Sequence, residues 1–162
     1  MPIKTHHLAF LSLALLFALG AGSTPSYGAD QVSKKVYLCS TVGAADTAIY
    51  IASTVGAADV SLYFSSLAST ADKKICFTDR KAEADYVIEF AHTLGGGDPD
   101  IYFASTVGAA DLSVYFASTI GAADKAIYIT DSKALADVVV YMEKSDLSRQ
   151  QIFALLVALK AI

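Results

Sequence analysis

Short apolar segments alternate with small polar turns along this chain, and the alternation keeps a period of 13 residues. The clearest segments are Ile49-Tyr50-Ile51, Leu62-Tyr63-Phe64, Val114-Tyr115-Phe116 and Ile127-Tyr128-Ile129. An Asp marks each unit: Asp46, Asp59, Asp72, Asp85, Asp98, Asp111, Asp124 and Asp137. An earlier copy, Val36-Tyr37-Leu38, fits the same phase with Ser33 in the Asp position. Self-similarity at a fixed period speaks to architecture before any single residue does. Counted from each Asp, the third position holds Val36, Ile49, Leu62, Ile75, Ile88, Ile101, Val114, Ile127 and Val140. The fifth holds Leu38, Ile51, Phe64, Phe77, Phe90, Phe103, Phe116, Ile129 and Met142. Residues two apart in a strand share a face, so these phases predict about nine short strands with one dry side. β-Branched and aromatic side chains suit such a face. At roughly 1.5–3 kcal/mol per fully buried side chain, the two phases supply some tens of kcal/mol against conformational entropy. The expectation is an all-β, compact two-layer repeat domain over residues 34–143. Periodicity alone suggests an unknotted solenoid or sandwich.

The fourth phase points the other way. It holds Tyr37, Tyr50, Tyr63, Cys76, Glu89, Tyr102, Tyr115, Tyr128 and Tyr141. Tyr can cover a strand with its ring and keep its hydroxyl wet, and rings on neighbouring strands would form a ladder of cross-strand pairs. Tyr50, Tyr63, Tyr102, Tyr115 and Tyr128 are the candidate binding face, for a glycan or another planar ligand; sheet cover is the plainer reading. Between strands the commonest turn is Ser-Thr-Val-Gly-Ala-Ala-Asp, at residues 40–46, 53–59 and 105–111, with a near copy at 118–124. Residues 79–85 and 131–137 carry charged versions. Such turns read as a short helical turn with a hydroxyl cap. Ala nearly always precedes the Asp, which points to tight packing. The Asp series could suggest calcium, but one acid per unit is thin coordination. An Asp accepting backbone N–H bonds to close its own turn is simpler.

The repeat changes once without changing length, at His92-Thr93-Leu94-Gly95-Gly96-Gly97-Asp98-Pro99-Asp100. Three Gly make this the most permissive joint in the chain. His92 has no Cys or His at ligand spacing and reads as a turn residue. Before the repeat, Lys4, His6 and His7 precede an apolar run from Leu8 to Gly22, followed by Ser23, Pro25, Gly28 and Ala29. That is the layout of a signal peptide over residues 1–28, with no stable membrane span after cleavage and a secreted or periplasmic destination. After Met142 the period stops. Ser145-Asp146-Leu147-Ser148 offers a helix start, and residues 145–162 read as an apolar or amphipathic C-terminal helix that docks on the domain, a membrane surface or a partner.

Composition narrows the function. The 162 residues carry a net charge of −4, with 54% hydrophobic and 17% charged residues. No basic stripe is present, which argues against nucleic acid. No nucleophile–His–acid spacing, phosphate loop or Cys/His cluster is visible, so no catalytic, cofactor-binding or metal residues are assigned. Cys39 and Cys76 are the two cysteines; pairing them needs neighbouring strands.

The repeat resembles the 7(1) septoil knot domain family across residues 35–143. Ala71-Asp72-Lys73-Lys74-Ile75-Cys76-Phe77 and the central Gly97-Asp98-Pro99-Asp100-Ile101-Tyr102-Phe103 carry the likeness. The resemblance implies a deeply knotted all-β backbone, with one half of the chain wound through the other, and implies no activity. The turns depart from it in being Ser-Thr-Val-Gly-Ala instead of charged. The function expected is a non-enzymatic structural or interaction module, with Tyr-face ligand binding as the alternative. Its partner would be a protein or a glycan, and an exposed β edge would permit self-association. An enzyme would need acids converging around Glu89, Asp98 and Asp100.

Overall fold

The computed structural model describes residues 31–162, so the expected signal peptide lies outside the described residues. Nine strands form where the period places them: β1 (Val32–Leu38), β2 (Thr47–Ala52), β3 (Val60–Phe64), β4 (Lys73–Thr78), β5 (Tyr86–Phe90), β6 (Asp100–Ala104), β7 (Leu112–Ala117), β8 (Lys125–Ile129) and β9 (Val138–Met142). One helix, α1 (Arg149–Ala158), follows. The strands close into a barrel in the order β1-β5-β9-β4-β8-β3-β7-β2-β6, with every strand pairing parallel. The two layers expected from the sequence are facing walls of this one sheet. Among the described residues, closure leaves no free strand edge, so they do not offer the expected edge-to-edge route to self-association.

Each successive strand lands two places round the barrel from the one before it. β1 to β5 therefore take alternate places on a first lap, and β6 to β9 fill the gaps on a second. Register follows from the repeat. Neighbours pair at an offset of 54 residues, as in Val32↔Tyr86, or 63, as in Ile49↔Leu112. These offsets are two more than four repeats and two fewer than five. The stagger is even, so inward residues stay inward; a one-residue slip would turn the dry face out. Two residues at each of the nine pairings accumulate to a shear of 18 per circuit. That shear implies a strand tilt of about 55° and a barrel radius on the order of 11 Å.

A barrel this wide cannot be filled by one layer of side chains, because inward side chains of about 5 Å leave a bore of about 12 Å, the diameter of an α-helix. α1 fills it. All nine third-phase side chains are 0% exposed, and they share one core with Phe153, Ala154, Leu155 and Leu156 of α1. At one end Arg149 lies 3.9 Å from the Phe64 ring, and Phe153 meets Phe64 edge-on at 4.8 Å and Phe77 at 6.0 Å. At the other, Tyr86 donates its hydroxyl proton to the Lys160 carbonyl at 3.3 Å. The helix thus runs from the C-terminal ends of the strands to their N-terminal ends. This accounts for its being apolar nearly all round, as a surface helix could not be. Ser148 caps its first turn in a reciprocal pair with Gln151. Its end closes through Lys160 N–H to Val157 O and Ala161 N–H to Leu156 O, both 2.9 Å, with Lys160 left-handed at φ 57°.

Candidate functional site

The outer surface is built from the connections, because each must cross the strand it skips. Each of the eight, bar the link between β5 and β6, contains a short 3-10 turn. The expected helical turn is there, but the expected hydroxyl cap is not. Thr41, Thr54, Thr106 and Thr119 sit extended at the turn start and make no side-chain cap bond. Their φ near −137° orients the residue as strand, leaving the hydroxyls exposed. The turn Val42–Ala44 packs over β6, Val107–Ala109 over β2, Val55–Ala57 over β7 and Ile120–Ala122 over β3. Since β6, β2, β7 and β3 are consecutive in the barrel, the four Ser-Thr-Val/Ile-Gly-Ala-Ala-Asp copies lie side by side. They come from two separate stretches of sequence. Val42, Val55, Val107 and Ile120 are each about half exposed there.

The two charged turns also meet. They cross the adjacent strands β4 and β9, and Lys133 of one pairs with Glu83 of the other, which also accepts from Arg80 at 2.9 Å. Lys81 pairs with Glu89 and stands 5.4 Å from the centre of the Tyr141 ring. Glu83 and Lys133 thus join the two charged turns across a strand boundary.

The Asp series does accept backbone N–H bonds, but not from its own turn. Asp46 Oδ2 accepts Asp100 N–H at 2.8 Å, Asp59 takes Ser113 at 2.7 Å, Asp72 takes Ala126 at 2.7 Å and Asp85 takes Val139 at 2.7 Å. Asp111 takes Ala48 at 2.8 Å, Asp124 takes Ser61 at 2.8 Å and Asp137 takes Lys74 at 2.7 Å. These partners stand 54 or 63 residues away, so each carboxylate clamps one lap of the winding to the other. Each turn ends on the skipped strand, whose amide is nearer to the carboxylate than any in the turn. The Ser61 hydroxyl also donates to Asp124 at 2.7 Å, and this bond, with the Ser61 N–H, lowers the Asp124 carboxyl below its ordinary range. Spread one to a strand, the carboxylates do not converge on an ion.

The five candidate tyrosines occupy adjacent strands: Tyr102 on β6, Tyr50 on β2, Tyr115 on β7, Tyr63 on β3 and Tyr128 on β8. All are half-buried on the outside. They form no ladder of directly opposed rings. The stagger sets Tyr50 opposite Ser113 and Ala104, Tyr115 opposite Ala52 and Ser61, and Tyr63 opposite Ala117 and Ala126. Equivalent rings then stand one strand across and two residues along, about 8 Å apart. Of these small partners, Ala52, Ala104 and Ala117 hold the sixth phase, and Ser61, Ser113 and Ala126 hold the second, whose burial sequence reasoning passed over. Ala48, Ser61, Ser113, Ala126 and Val139 are buried beneath the crossovers. Their shared small size was the available signal.

Of the acids considered for catalysis, Glu89 is in its ion pair outside β5, and Asp100 is buried with Oδ2 accepting Gly95 N–H at 3.1 Å. Asp98 lines a cavity at the N-terminal mouth of the barrel. Gly97 has to be Gly, since a Cβ there would stand 2.5 Å from Tyr37 N. Gly95 takes φ 72°. His92 is an exposed loop residue. Cys39 and Cys76 are both free, with β5 and β9 between their strands. Burial raises the Cys39 thiol first, then Asp100 and Asp46 nearby; burial also raises Cys76, against Lys133.

A closed parallel barrel whose chain circles its own axis twice, one lap threaded between the strands of the other, has the path of a two-turn torus curve. The model of the 7(1) septoil knot domain family matches residues 23–97, and this is the family the chain is similar to. The same 13-residue unit then runs on from Asp98 to Met142. No curated protein and no solved structure matches the chain.

Proposed function

We propose that the chain is an exported, non-enzymatic structural or interaction module whose contact surface is the arc of four near-identical turns. One observation carries this reading: copies far apart in sequence become neighbours on the outside of the barrel. Their exposed Thr and Val/Ile are not required for folding, because Lys81–Glu83 and Lys133–Leu135 form the same turn with different residues. Export rests on the charged, then apolar, then small-residue order of residues 1–28. The test is a pull-down from the native cell envelope with the mature chain, comparing wild type with Val55→Glu/Val107→Glu. A partner lost in the variant, with thermal stability unchanged, supports the arc; equal capture removes it.

Ligand binding by the tyrosines is the second reading, favoured by their placement on five adjacent strands. Tyr115→Ala/Tyr128→Ala should then abolish glycan-array binding while the fold persists. Array signals identical to wild type would dismiss that reading.

A further inference from the structure

The mouth of the barrel at the N-terminal ends of the strands gathers the features that the repeat does not explain. A cavity of about 330 Å³ is lined there by Lys34, Thr47, Asp98, Pro99, Leu159 and Lys160, with Ala158. Asp98 is the exception among the eight repeat acids. The other seven clamp an amide on a neighbouring strand; among the described residues Asp98 makes only a main-chain bond, its N–H to Lys35 O at 2.6 Å. Its carboxylate is left for other use. Lys34 and Lys160 carry the opposite charge at the same cavity. Among the described residues none of the three forms an ion pair. Charges of both signs beside one cavity, not neutralising each other, match a ligand that carries both. Lys160 is also the one described non-Gly residue with positive φ, at 57°, where Gly is the usual and cheaper choice. A lysine in this conformation at a cavity fits a residue that serves through its ammonium.

We propose that this mouth binds a small zwitterion, a free amino acid or the termini of a short peptide. Lys34 and Lys160 take the carboxylate, Asp98 takes the ammonium, the Thr47 hydroxyl adds a hydrogen bond, and Pro99, Ala158 and Leu159 face the side chain. This site lies apart from the turn arc and stands or falls independently of it.

The test titrates L-alanyl-L-alanine into the full chain and follows backbone amide shifts, with N-acetyl-L-alanine and L-alaninamide as single-charge controls. Saturable shifts should centre on Lys34, Thr47, Asp98 and Lys160, and each control should bind at least tenfold more weakly. Asp98→Asn should lose about tenfold. Lys160→Gly is the decisive variant: Gly accepts the left-handed conformation, so the thermal midpoint should hold or rise while affinity drops by tenfold. Absence of binding, shifts elsewhere, controls equal to the dipeptide, or full affinity in a folded Lys160→Gly each overturn the proposal.

Discussion

Replacing Phe153 by Ala tests whether α1 is the filling of the barrel. Phe153 is 1% exposed and meets Phe64 and Phe77 edge-on. Truncating such a side chain costs about 3–5 kcal/mol, combining lost transfer energy with the cavity left behind. Two edge-to-face ring pairs, each about 0.5–1.5 kcal/mol beyond area, put the expectation in the upper half of that range. The bore limits relaxation, since its wall is a hydrogen-bonded sheet on every side. For a domain of this size that loss lowers the melting temperature by about 10–20 °C. Circular dichroism melts and urea titrations of wild type, Phe153→Ala, Phe153→Leu and the exposed control Gln150→Ala read it directly. Leu keeps most of the apolar volume and should lie between; Gln150→Ala should stay within about 0.5 kcal/mol of wild type. A Phe153→Ala midpoint within a degree or two of wild type would mean that the helix sits outside the barrel.

Further expectations concern the clamps and the joint. Asp59→Ala leaves the Ser113 amide without its acceptor and should cost about 1–2 kcal/mol in urea unfolding, whereas Asp98→Ala, which breaks no clamp, should cost far less; equal losses would contradict the clamp reading. Because Asp124 is held below its ordinary carboxylate range, its contribution is present above the unfolded pKa and lost as pH falls through the folded one. Ser61→Ala, which removes the larger cause, should therefore flatten stability against pH in the acid range below about 4; an unaltered acid profile would count against it. Gly97→Ala should destabilise the joint, while Gly121→Ala, whose Cβ meets nothing within 4 Å, should be neutral or slightly stabilising; thermal melts that rank the two the other way refute the geometry.

The inward face was readable because alternation and period agree: the third-phase residues from Val36 to Val140 all reach the core. The helix start was readable to within the stretch 145–148 from its side-chain chemistry, and the structure puts the cap at Ser148. The winding was not. Partners 54 and 63 residues apart follow from a two-residue stagger that no single unit encodes, and the same 13-residue pattern would serve a solenoid. The family resemblance supplied the interleaving that periodicity left open. Without the stagger, the tyrosines read as an opposed ladder, and the Asp carboxylates read as closing their own turns. The role of the apolar tail was hidden for a related reason: only a barrel wider than its own side chains needs a helix inside it. The mouth site was illegible because Lys34, Asp98 and Lys160 lie far apart in sequence and meet only through closure.

The interleaved laps can be tested by crosslinking in a Cys39→Ser/Cys76→Ser background. Ala48 and Tyr102 pair directly between β2 and β6, whereas β7 separates Ala48 from Ser61 on β3. Cysteines at 48 and 102 should oxidise to an intramolecular disulfide, while cysteines at 48 and 61, about 16 Å apart across an intervening strand and its stagger, should not. Efficient crosslinking of 48 with 61 and none with 102 would mean that consecutive strands are neighbours, contradicting the two-lap barrel.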